Sequence, residues 1–111
     1  MMNNVTLIGR LTRDPEIRST TNTQVANLSI ATDRVKLDSE GRTYKEDGYT
    51  AKEVEYHRVT AFGTTAKSVG EHKSKGDMVA VEGRLHYTKW TDNGGVERYG
   101  CEVIADRIHF L

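Results

Sequence analysis

The chain has 111 residues, 36% of them hydrophobic, enough for one folded domain with a modest core. Sixteen basic residues balance sixteen acidic ones, which argues against a partner held by a strong global field. No apolar run approaches the roughly 20 residues of a membrane span, and the start, Met-Met-Asn-Asn-Val, lacks the basic-then-apolar pattern of a secretory leader. A single cysteine, Cys101, excludes an internal disulfide. Its strand-like setting predicts a small buried residue, and a reducing interior is the natural compartment.

Asn4 to Arg13 (NVTLIGRLTR) sets Val5, Leu7, Gly9 and Leu11 against Thr6, Ile8, Arg10 and Thr12, the two-residue period of a strand. Gly9 inside it predicts a bend, and Asp14-Pro15 ends it. Gln24 to Arg34 is a second strand, with Ala26, Leu28 and Ile30 on one face and Asn27 and Ser29 on the other. Val35 to Lys52 is polar and contains Gly41 and Gly48, so it reads as a long hairpin arm or loop. The charge imbalance collects here. Residues 37–56 hold three basic and six acidic residues, whereas both flanks are mildly positive.

Val54 to Gly63 (VEYHRVTAFG) is the third strand and the most informative segment. One face carries Tyr56, Arg58, Thr60 and Phe62, and the other His57, Val59 and Ala61. The second face is the core side. The first sets two aromatic rings around a guanidinium, an arrangement suited to flat bases joined by anionic links. Cross-strand packing of good strand formers is the competing reading.

Thr64 to Lys73 breaks the alternation. Ala66 and Val69 share one side of a short helix, with Thr64 as its expected N-cap. Met78 to Tyr87 returns to alternation, with Val79, Val81, Gly83 and Leu85 inward and Glu82, Arg84 and His86 outward. Asp92-Asn93-Gly94-Gly95 marks a hairpin turn, and Glu97 to Leu111 forms the last strand. The expected fold is therefore all-β with one short helix. Five strands with a helix between the third and fourth is the order of a Greek-key OB (oligonucleotide-binding) barrel, one domain over residues 1–111.

Six pieces in order carry a more specific resemblance: NVTLIGRLTRDPEIR, VANLSIAT, EYHRVTAFG, KGDMVAVEGRL, KWTDNGGVERY and IADRIHFL. Together they resemble the bacterial-type single-stranded DNA-binding protein family, including its mitochondrial members. The resemblance implies an OB fold assembled as a homotetramer that wraps single-stranded DNA with little sequence preference and performs no catalysis. The family's stacking aromatics match Tyr56, Phe62 and Trp90, and its basic contacts match Arg58, Lys75, His86 and Lys89. His57 is placed by parity and by the resemblance at the core edge or a subunit interface. The implied setting is cytoplasmic and nucleoid-associated, with phage, plasmid or organelle origin open.

The chain departs from that pattern in three places. Tyr56 stands where the family often has Trp, which reduces stacking area. Lys36 stands where another aromatic is frequent, unless Tyr44 or Tyr49 in the arm takes its place. Many bacterial members also carry a flexible tail with an acidic tip that recruits replication and repair proteins. The sequence stops at Leu111 without one, so a tail-less member or a shortened chain is expected.

Trp90 precedes the turn, beside Lys89, and reads as a stacking platform with a phosphate partner alongside. Packing at a subunit contact is the alternative. Arg34 and Lys36 are candidates to guide the DNA backbone, with a solvated turn equally open. Arg84 is a further candidate for which Glu82 on the same face competes. The four histidines, His57, His72, His86 and His109, have no ligand spacing, and no metal or cofactor is expected. Cys101 has no activating neighbour. The main rival is a primosome-type OB dimer that mainly holds proteins; an OB-fold hydrolase or metal enzyme would need a cluster of acidic or His ligands that the sequence does not show, and a cold-shock-type RNA binder would need aromatic-rich strand pairs that are absent.

Overall fold

A computed structural model describes residues 1–111. Alternation sets its architecture. β1 (Val5–Leu11), β3 (Gln24–Val35), β6 (Lys52–Phe62), β7 (Met78–Thr91) and β8 (Glu97–Phe110) each turn alternate apolar side chains inward. β1 pairs antiparallel with β7, β7 with β8, and β6 with β3, while β6 and β8 run parallel through Val59↔Val103 and Thr60↔Ile104. The ring closes where β1 meets β3 at Arg10↔Ala31 and Leu11↔Ile30. This is the OB barrel with the expected order, and its helix α1 (Gly63–His72) lies between the third and fourth barrel strands.

The core is the inward set. Leu11, Leu28, Ile30, Val59, Val79 and Val81 are buried within the barrel, and Ala66 and Val69 of α1 pack against them. Each of the larger side chains contributes about 1.5–3 kcal/mol by leaving water. The barrel curls tightly because two inward positions carry no side chain. A Cβ at Gly9 would lie 2.2 Å from the Ala31 carbonyl oxygen, at the corner where β1 passes from β7 to β3. One at Gly83 would lie 2.1 Å from the Ile104 carbonyl oxygen, beside a register shift between Glu82 and Gly83. The bend expected at Gly9 is thus a close approach of two backbones.

Several local features differ from expectation. α1 is capped by Phe62, not Thr64, and without a side-chain hydrogen bond. Gly63, at φ +64°, turns the chain directly from β6 into the helix, which places Thr64 inside the first turn. A short strand, β2 (Glu16–Ser19), continues the path of β1 along β3, with Glu16↔Asn27 and Arg18↔Val25. All four of its residues are exposed, so it has no apolar rhythm to betray it.

Two pairs of strands outrun the barrel. Residues 97–102 of β8 pair only with β7, forming a two-stranded ribbon that ends at the Asp92–Gly95 turn. Residues 32–35 of β3 pair only with β6 and lead into the polar arm. That arm is a hairpin with β4 (Lys45–Glu46) and β5 (Tyr49–Thr50) and a bridge Leu37↔Thr43. The buried Ala51 fastens its base: its N–H donates to the Tyr44 carbonyl, and its carbonyl accepts from the Lys36 N–H. No helix is long and apolar enough to cross a membrane.

Candidate nucleic-acid interface

The outward face of β6 is built by parity alone. Tyr56 (69% exposed), Arg58 and Phe62 (48% exposed) point away from the core, as their two-residue spacing requires. Thr60 shares that face but is only 7% exposed. Its hydroxyl donates to Oε2 of Glu102 at 2.8 Å, and Asn27 Oδ1 lies farther off at 3.4 Å.

Trp90 reaches this face from the ribbon. Arg84, His86, Thr88 and Trp90 occupy alternate positions of β7, opposite Ile104, Glu102, Gly100 and Arg98. The Trp90 ring lies over Gly100: a Cβ there would meet Cζ3 at 3.1 Å and Cη2 at 3.4 Å, with Thr88 Oγ1 at 2.7 Å. The ring is supported from beneath by backbone yet stays 47% exposed. A cleft of about 230 Å³ runs beside it, lined by Arg58, Thr88, Trp90, Cys101 and Glu102. A second cleft, about 330 Å³, adjoins it through Arg58 and Glu102 and extends to Arg13, Glu16, Arg18 and Asn27. Arg58 and Arg18 take part in no ion pair, and Arg13 lies 3.8 Å from Glu16.

The structure sets Tyr56, Arg58 and Phe62 along the outward face of β6 and joins Arg58 to Trp90 in one cleft, with the exposed Arg84 and His86 on the Trp90 side of β7. Lys89 is not alongside Trp90 as expected. Adjacent strand residues face opposite ways, and Lys89 is engaged with Glu97 at 3.2 Å and lies over the Tyr99 ring. Arg34 is held between Glu53 and Glu55 at 3.2 and 3.6 Å. Lys36 is half-buried at the base of the arm, where Tyr44 is half-buried and Tyr49 exposed. Lys75 is exposed, and its N–H donates to Asp14 Oδ1 at 2.8 Å, which pins its loop beside Arg13.

Other expectations change. Glu82 does not compete for Arg84; it pairs with His109 at 3.0 Å, and that hydrogen bond holds its carboxyl below the usual range. Cys101 is exposed, because its stretch of β8 lies in the ribbon with no core behind it. His57 sits at the core edge, with Nε2 2.8 Å from Thr32 Oγ1. The turn below Trp90 is organised by Asp92, whose carboxylate accepts from the Val96 and Gly94 N–H groups and from Arg98 Nε. The Val96 bond, then Arg98, lower its pKa.

Arg13, Arg18, Asn27, Thr88 and Glu102 were not among the residues expected at the site. Arg18 lies on the strand without apolar rhythm, and Glu102 reaches the cleft only because β8 runs beside β6. The arrangement can stack flat rings on Trp90, Tyr56 and Phe62 while arginines between them meet phosphates.

Comparisons with known proteins agree with this geometry. The model of the single-strand binding protein family matches residues 2–111. A crystal structure of a deletion mutant of the single-stranded DNA binding protein from Thermus aquaticus is similar, with a TM-score of 0.80 and 32% identity. That match covers 99% of this chain and 50% of the Thermus chain, so this chain spans half the length of that relative. With a closed OB barrel and a family match over nearly its whole length, the chain belongs to the single-strand binding protein family.

Proposed function

We propose that this chain binds single-stranded DNA with little sequence preference and coats exposed strands during replication, recombination and repair, without a catalytic step. The observation that carries this reading is Arg58, an unpaired guanidinium shared by two adjoining clefts. Trp90 borders one, and Arg13 and Arg18 border the other. Bases would stack on Trp90, Tyr56 and Phe62 at about 1–3 kcal/mol each, while the strand's phosphates pass Arg58. The similarity to the Thermus single-stranded DNA binding protein supports the same ligand. Neutral net charge makes the mechanism lean on stacking and placed cations. Binding only the single strand pulls the duplex equilibrium toward melting.

A homotetramer is part of this reading, with the half-buried His57 at the edge of a subunit contact. Light scattering would separate it from the primosome-type dimer. The direct test is a titration with oligo-dT of increasing length, following Trp90, the only tryptophan. Quenching that saturates with length and weakens with salt is expected. Absence of binding by fluorescence and by a second probe would remove the DNA-binding reading.

A further inference from the structure

Glu102 is a misfit in a surface furnished to receive a polyanion. It lines both clefts beside Arg58, yet it takes no ion-pair partner. It is half-buried, and its Oε2 is fixed by the buried Thr60 hydroxyl at 2.8 Å. A hydroxyl has one proton to give, and the longer contact to Asn27 leaves it with Glu102. No protein donor reaches the other oxygen, Oε1. The result is an oriented acceptor beside the Trp90 platform.

We propose that Glu102 reads base edges, giving the cleft a preference for a base that carries an exocyclic amino group. This rests on the single-strand-binding reading and deepens it. A carboxylate can only accept, so it repels phosphate oxygens and base carbonyls alike. The amino groups of cytosine, adenine and guanine complement it, as in the pairing of Glu with cytosine N4. Thymine and uracil offer only one ring N–H flanked by two carbonyls. Arg58, a pure donor on the same wall, matches the ring nitrogen or carbonyl that lies beside the amino group. Phosphate contacts and stacking supply affinity for any strand, and Glu102 biases one position within it. Thr60 is a positioning residue: it keeps the carboxylate turned into the cleft.

The test compares oligo-dC with oligo-dU of equal length at neutral pH. These ligands share ring size and phosphate count and differ only along the edge in question, where cytosine has an amino group beside an acceptor N3 and uracil a carbonyl beside an N3–H. The wild-type chain is expected to bind oligo-dC about five-fold more tightly, the net scale of one hydrogen bond exchanged with water. In Glu102→Gln the amide can donate or accept, so the ratio should fall to near one while affinity for both strands rises as a repulsive charge is lost. In Thr60→Val the carboxylate keeps its charge but loses its anchor, and the ratio should narrow. Equal binding of the two strands by the wild type, or an unchanged ratio in Glu102→Gln, overturns the proposal and leaves DNA binding intact. Binding of neither strand overturns the single-strand reading and this proposal with it. The wild-type ratio decides the matter even if a variant fails to fold.

Discussion

The indole of Trp90 rests over the α-carbon of Gly100, directly across the β7–β8 ribbon from Thr88. The platform exists because position 100 has no side chain. An alanine there needs only a rotation of Thr88 and a few tenths of an ångström from the ring, whereas a valine needs the space the ring occupies. Gly100→Val should therefore shift the Trp90 emission maximum and weaken oligo-dT binding about ten-fold, within the range of one lost stacking contact. Unfolding should change little, since the ribbon lies outside the core. Unaltered emission and affinity would place the ring elsewhere.

Gly9 and Gly83 are a different case, because a Cβ at either would strike a backbone carbonyl oxygen. Backbone in a closed barrel cannot yield as a side chain can. Gly9→Ala and Gly83→Ala should each destabilise the fold by about 1–3 kcal/mol or more, measured as a lower urea midpoint. Neutral substitutions would mean that the ring does not close as tightly as described.

Arg58 and Lys89 make opposite predictions despite equal charge. Arg58 has no acidic partner, while Lys89 is paired with Glu97 on the other face of the ribbon. Arg58→Met should reduce the slope of log affinity against log salt by about 0.7, the value for one single-strand phosphate contact. Lys89→Met should leave the slope nearly unchanged. A larger loss at Lys89 would reverse the assignment of the two faces.

Asp92 governs the turn beneath the platform, and Trp90 is the register partner of Arg98, which Asp92 binds. Hydrogen bonds from Val96, Arg98 and Gly94 lower its pKa, so the charged form is favoured in the folded turn. The stabilisation is complete above the ordinary carboxylate range and is lost as pH falls through the lowered value. The protection of the Val96 and Gly94 amides against exchange, taken relative to the unstructured-chain rate at each pH, should fall on acidification, and Asp92→Ala should show the same loss of protection at neutral pH. Protection indifferent to both changes would dissociate Asp92 from the order of the turn.

Much of this was legible along the chain. Leu28, Ile30, Val59, Val79 and Val81 announce the core, since one buried face imposes a two-residue rhythm on every strand that builds it. Tyr56, Arg58 and Phe62 were legible on the outer face for the same reason. β2 was not, because an exposed edge strand has no apolar rhythm. Nor was the full length of β7, which runs past Tyr87 to Thr91, because its outer part pairs with the start of β8 in a ribbon wet on both sides; for the same reason Cys101 looked buried and is exposed.

The sequence by itself determined the strands of the barrel, the inward residues and the alternation that aims Tyr56, Arg58 and Phe62 outward, because these are properties of neighbouring residues. Tertiary structure alone decided that Arg13, Arg18 and Glu102 join Arg58, that Trp90 settles on Gly100 and that Lys89 turns away to Glu97. Those relations depend on how distant strands are registered when the ring closes, and local periodicity carries no information about register between segments far apart in the chain.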